Sequence, residues 1–275
     1  MANVSDIAIT SLEVITAFDV LTGDHLFTLD ELQNATLSNS EEKQDIVGKQ
    51  GRKLTSLKRN KAVTISGSNG LVSCGLFERQ VGNSFEEKVT DVMWTDYLTV
   101  NSNKAKTTYV AVGEEGAEIV SAYVKNSDGT LGAAMEQANA AAAATGTNPE
   151  KFAYDPDTKE MTFASKADGT EVIVYYKRKI TANVLENQSD NYSGKATLYI
   201  DAIGEDKCAN VYRIQIRIPK ADFSGEFSLE MGDSQTMHNF EAEALAGSCG
   251  GSGSLWDYIV FDSNAADHTE VDDET

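Results

Sequence analysis

Val211-Tyr-Arg-Ile-Gln-Ile-Arg-Ile218 alternates without a break: Arg213, Gln215 and Arg217 fall on one side of an extended chain, and Ile214, Ile216 and Ile218 on the other. Successive side chains of a strand point to opposite faces, so one face of this segment meets a core and the other meets water or a partner. The same period extends outward from it. Ala196 to Ala202, Gly225 to Met231 and His238 to Leu245 read as strands. Lys61-Ala-Val-Thr-Ile-Ser66 alternates in the same way until Gly67-Ser68-Asn69-Gly70 stops it. Ile7 to Phe18 and Leu26 to Leu29 read as a pair around Thr22-Gly23-Asp24, whose glycine supplies the positive φ of a tight reversal. Val89 to Val100 is a further strand. The spacing of Leu71, Val72, Cys74, Leu76, Phe77 and Val81 predicts one amphipathic helix of about three turns ending at Gly82, with Cys74 packed in a core.

Residues 109 to 180 read as an inserted subdomain with its own pattern. Tyr109 to Val112 and Ile119 to Val124 are strand-like, and Ser127-Asp128-Gly129 is a turn. Alanine-rich Gly132 to Ala144 predicts a helix. Phe152 to Phe163 reads as a hairpin through Asp155-Pro156-Asp157, with Glu171 to Tyr176 paired to it. The expected organisation is a β core from 1–108 and 181–261, the insertion at 109–180, and an acidic tail at 262–275 expected to be disordered. Gly247 to Ser254 reads as a hinge before a last apolar strand, Leu255 to Phe261.

The chain has 275 residues, 41% of them hydrophobic, and a formal net charge of -20. A surface this acidic repels nucleic acid, which disfavours a sequence-reading DNA-binding protein. Cys74, Cys208 and Cys249 cannot all pair within one chain and lack zinc-site spacing, so reduced thiols made in a cytosol are expected. No cationic, apolar leader opens the chain and no run approaches the roughly 18 apolar residues of a membrane helix. Secretion and membrane insertion are not expected.

Against this acidic background one segment is basic. From Lys43 to Lys61 seven cations face one acid, Asp45, so the segment carries +6 and the rest of the chain -26. Over Ser38 to Arg59 hydrophobic residues thin to Ile46, Val47, Leu54 and Leu57, which predicts a long polar loop between strands. A structureless loop of that length is uncommon in a compact domain unless it has a task. One reading is an arm that orders on a neighbouring copy, with Lys49, Arg52, Lys53, Lys58 and Arg59 as inter-subunit contacts; the other is a solvated polar loop.

Catalytic chemistry finds little support. His25, His238 and His268 are scattered. Gly247-Ser-Cys-Gly-Gly251 matches a nucleophile elbow in letters, but a linker follows it where a helix is required. Asp155, Asp157 and Glu160 lack the third ligand and the glycine of a calcium loop. No phosphate-binding or dinucleotide fingerprint occurs, and no metal or cofactor is expected.

Several words of the sequence resemble the major tail tube proteins of long-tailed bacteriophages of Gram-positive hosts. They are Leu29-Asp30-Glu31-Leu32, Gly48-Lys49-Gln50-Gly51-Arg52-Lys53-Leu54, Lys61 to Gly67, Ile218-Pro219-Lys220-Ala221-Asp222-Phe223-Ser224-Gly225 and His238-Asn239-Phe240, over about half of the chain. The resemblance implies a mainly β fold, an antiparallel sandwich or barrel with one flanking helix, and a virion structural protein that is not an enzyme. It implies stacked, usually hexameric rings, with the loop at 38–59 reaching an adjacent ring. Its implied partners are further copies of itself and the tape measure and tail terminator proteins, with DNA passing through the lumen without specific binding and no membrane contact. Carboxylates lining such a lumen would repel the phosphate backbone. Two alternatives carry other expectations: a capsid decoration or head protein, and a carbohydrate-binding or adhesive β domain using the insertion.

Overall fold

A computed structural model describes residues 6–138, 150–229, 237–246 and 253–262. The chain is mainly β with one α-helix, and it falls into two compact units, Met1–Phe85 with Leu185–Thr275, and Glu86–Val184. The expected insertion at 109–180 lies within the second unit, which starts earlier because β5 (Glu86–Thr99) pairs along its whole length with β11 (Glu171–Val184).

The first unit is an antiparallel sheet. Its strands are β1 (Ile7–Phe18), β2 (His25–Leu29), β3 (Leu32–Val47), β4 (Lys53–Asn69), β12 (Lys195–Asp206), β13 (Val211–Phe223), β14 (His238–Ala244) and β15 (Asp257–Asp262). The order is β2-β1-β12-β13-β14-β4-β3, with β15 also paired to β13. The alternation in 211–218 sets the register: Ile214, Ile216 and Ile218 lie opposite Ala202, Ile200 and Leu198. Ile214 and Ile218 are buried and Ile216 packs against the same core, while Arg213 and Arg217 are exposed. β14 meets β13 only at 221–223, and β15 takes the free edge at 212–217, where Arg217 donates Nε and Nη2 to Asp257 at 2.9 and 2.6 Å.

Helix α1 (Cys74–Val81) is shorter than expected. Ser73 Oγ caps it by accepting from the Leu76 N–H at 3.3 Å, and Gly82 ends it in the left-handed region at φ 75°. Leu76 is buried, and Gly75 lets the helix approach β2: a Cβ there would stand 2.7 Å from the Leu26 carbonyl oxygen. Cys74 is exposed, contrary to expectation, since it sits in the first turn on the side away from Leu76.

The second unit is a curled mixed sheet of order β5-β11-β7-β8-β9-β10-β6. Its remaining strands are β6 (Lys104–Lys106), β7 (Ile119–Lys125), β8 (Leu131–Gln137), β9 (Lys151–Asp155) and β10 (Glu160–Phe163). All pairs are antiparallel except β8–β9. Phe152, Phe163, Met161, Val172, Val174 and Tyr176 fill its core. Asp96 organises the rim, accepting from Trp94 Nε1, the Thr108 N–H and hydroxyl, and the Tyr176 hydroxyl at 2.7–3.1 Å. Burial pushes the Tyr176 phenol well above its usual range.

Four expectations for local structure are corrected. Residues 132–137, expected to be helical, form β8, because Met135 enters the core opposite Ala122 and sheet pairing outweighs alanine's intrinsic preference; the rest of that stretch, from 139, lies outside the described residues. Tyr109 to Val112 is not a strand but a loop laid along β11, through Val112 N–H to the Lys177 carbonyl oxygen at 2.8 Å. β11 pairs with β5 and β7, not with the β9–β10 hairpin. Of the strand expected at Gly225 to Met231, the described part makes a single bridge, Leu229 to His238. The expected tail beyond Asp262 and the hinge glycines at 247–252 lie outside the described residues.

Candidate assembly arm

The segment expected to be a loop is a β-hairpin. β3 and β4 pair from Leu32 and Asn69 to Val47 and Lys53, closed by a short 3-10 turn at Lys49–Gly51 in which Gln50 takes φ 66° and Gly51 φ 74°. The polarity that suggested a loop arises because neither face of the outer hairpin packs on the unit. Leu37 and Val63 are the last residues that join the core, and from Ser38 to Lys61 every residue except Gly48 and Ser56 is exposed. The change occurs at a register shift between Ser40 and Glu42, where Asn60 adopts φ 52°. An extra residue with positive φ bends and twists a ladder locally, and beyond this point the hairpin is exposed on both faces. The eight residues from Ser40 to Val47 span roughly 27 Å at strand rise.

The hairpin rearranges the expected charge pattern. Lys53 bridges Asp45 at 2.6 Å and Lys58 bridges Glu41 at 2.7 Å. Arg59 donates to Gln44, and Asn60 donates to Glu42 at 2.7 Å. The Lys58 ammonium, with the fields of Lys61 and Lys43, holds the Glu41 carboxyl below its usual range. Three of the five candidate contacts, Lys53, Lys58 and Arg59, are therefore engaged within the arm. Lys49 and Arg52, at the tip, form no ion pair among the described residues. Glu41 and Glu42 were missed because they precede the basic segment in sequence; they become its partners only once 41–43 lies opposite 58–60.

Apolar side chains complete the arm. Ile46 is 39% exposed, Leu57 53%, and Val47 and Leu54 61% each. Directly opposed residues of an antiparallel pair share a face, so Gln44, Leu57, Ile46 and Thr55 lie on one side and Lys43, Lys58, Asp45 and Ser56 on the other. Leu54 folds over Gly48, where a Cβ would stand 2.9 Å from its Cδ1. Both faces of the arm therefore mix apolar and charged groups: Ile46 and Leu57 share a side with Glu42 and Arg59, Val47 lies opposite Lys53, and Lys49 and Arg52 stand at the end.

The residues considered for catalysis do not converge. His238 is fully buried against Gln80 and Ser73, His25 bonds Thr28, and His268 and Cys249 lie outside the described residues. Asp155 accepts from the Asp157 N–H and the Thr158 hydroxyl, which makes it a turn residue and holds its carboxyl below the usual range. Among the described residues no cluster of His, Cys, Asp and Glu could hold a metal, and no helix is long and apolar enough to cross a membrane.

Fold and arm place the chain in the class of mainly β proteins that carry an uncovered two-stranded hairpin. The chain is a member of the YomU/Tube protein family, whose model matches residues 7–257, in agreement with the resemblance to phage tail tube proteins. No curated protein matches it.

Proposed function

We propose that this protein is a virion structural subunit that assembles into stacked rings forming a phage tail tube, through which DNA passes to the host. The observation that carries this reading is the β3–β4 arm. A hairpin that extends roughly 27 Å and exposes Ile46, Val47, Leu54 and Leu57 near its tip gains burial only against another molecule. Membership of a tube family makes another copy of the chain the natural partner. A heterologous contact, arm on one copy and body on the next, repeats without closing and generates a stack. The cations at Lys49 and Arg52 meet an acidic body in that arrangement, and the surplus of acid disfavours binding of the DNA that slides past. Tape measure and terminator proteins are the further partners this role requires.

The test is negative-stain electron microscopy of purified protein beside a Leu54→Asp/Leu57→Asp variant. Hollow tubes or stacked rings from the parent, and dispersed folded subunits from the variant, are the expected result. Dispersed particles from both, at every concentration and salt, would overturn the tube reading and favour a decoration or binding protein.

A further inference from the structure

In the second unit Arg178 occupies an unusual position. It extends the core-facing row of β11 beyond Tyr176, its Cζ lying 3.7 Å from the centre of the Tyr109 ring and 4.6 Å from that of Trp94. The two rings meet edge to face, with centres 5.1 Å apart, so the guanidinium is held in the corner between them. Stacking of this kind orients a guanidinium while leaving its N–H edges unused. Here Nε is enclosed without a hydrogen-bond partner, and the group forms no ion pair among the described residues. The other N–H groups of this half-buried guanidinium donate no hydrogen bond among the described residues either, so the cation is fixed in place with its outer edge open to an acceptor.

Beside Arg178 lies a depression of about 520 Å³ walled by Tyr109, Val110, Val112 and Ile180, with Lys179 at its margin. That volume is within the usual range for small-ligand sites, and the walls are mainly apolar apart from the two cations and the Tyr109 phenol. The loop that forms one wall has spent three of its four amides: Tyr109 and Ala111 donate to the Tyr176 and Tyr154 hydroxyls, and Val112 donates to the Lys177 carbonyl oxygen, which leaves only the Val110 N–H. A phosphate needs several converging donors, which this loop does not offer. A carboxylate needs the planar edge of one guanidinium.

We propose that Arg178, with Tyr109, Val110, Val112 and Ile180, forms a binding pocket for a carboxylate carried on an apolar body. The site lies wholly within the second unit and stands independently of tube assembly. The ligand class is a small organic acid: the carboxylate meets Arg178, Lys179 adds positive potential, and the aliphatic or aromatic body covers the valines and Ile180.

The test uses the full chain with Trp256→Phe, leaving Trp94 as the one indole. Its fluorescence is followed during titration with hexanoate, hexanamide and hexyl phosphate. Saturable quenching by hexanoate is expected, with binding at least about tenfold tighter than for hexanamide, which lacks the charged hydrogen bond, and tighter than for hexyl phosphate, whose headgroup needs more donors than the pocket offers. Arg178→Gln should weaken hexanoate by a similar factor. Because that change also removes the stacked cation, Val112→Phe is the second variant: it fills the pocket, leaves Arg178 in place, and should abolish the response. Hexanoate without effect on Trp94, hexanamide or hexyl phosphate binding as tightly as hexanoate, or an unchanged response in Val112→Phe would each overturn the proposal.

Discussion

His238 links β14 to α1 and does so as a neutral ring. Its Nδ1 accepts the Ser73 N–H at 3.3 Å, its Nε2 donates to Gln80 at 2.7 Å, and Phe77 and Phe227 pack against it. Burial lowers its pKa, so the folded state binds fewer protons than the unfolded one as acid is added. Its contribution is present in full above the unfolded value of about 6.5 and is lost as pH falls through the lower folded value. Urea unfolding between pH 7.5 and 5.5 should show stability falling with acid in the parent, and a smaller slope in His238→Gln. An equal slope in both would show that other groups carry the effect. In the second unit Asp96 serves four donors, and Asp96→Ala should cost about 3 kcal/mol by leaving them unpaired, as read from urea midpoints. Neither role was visible in the primary structure, where Asp96 was one acid among 43 and His238 one scattered histidine.

Among the elements, α1 and the arm show opposite sides of the same problem. The end of α1 was legible because Gly82 marks it locally. The structure adds a second demand, since a Cβ on Gly82 would stand 1.9 Å from the Tyr192 carbonyl oxygen. Gly82→Asn, which tolerates the left-handed backbone, should therefore fail to rescue the loss caused by Gly82→Ala; both should unfold earlier by more than about 2 kcal/mol in thermal or urea melts. If asparagine restores stability, backbone conformation alone governs the site. The arm was read as a loop because strand periodicity records burial of one face, and this hairpin buries neither. Its pairing was nevertheless written in the residues: Glu41-Glu42 complement Lys58-Arg59-Asn60 across the ladder.

For the molecule as a whole, the proposed assembly assigns the separation of charge to association more than to folding. Lys53 and Lys58 are ion-paired inside the arm, whereas Lys49 and Arg52 form no ion pair among the described residues, and the proposed assembly gives these two a partner. Lys49→Glu/Arg52→Glu should change thermal stability by no more than about 0.5 kcal/mol, because both residues are exposed. The same change should weaken assembly most at low salt, where attraction between unlike surfaces is least screened. Sedimentation of parent and variant at two ionic strengths reads this directly; equal assembly at both would remove the tip cations from the contact.

Strand alternation in 196–202 and 211–218, the Gly23 and Gly82 stops and the excess of acid were readable from the amino acids alone, because each reflects a local preference or a sum over the chain. They sufficed for a mainly β protein; the resemblance to tail tube proteins was carried by particular words such as Gly48 to Leu54 and Ile218 to Gly225. Folding in space was needed to turn 38–61 into a projecting hairpin, 132–137 into a strand, and Arg178 into a cation held between two rings. Those features depend on which residues meet across the chain: Glu41 with Lys58, Met135 with Ala122, and Tyr109 and Trp94 with Arg178. Periodicity along a sequence reports the environment of each strand and is silent about its partners, and here the partners define the candidate sites.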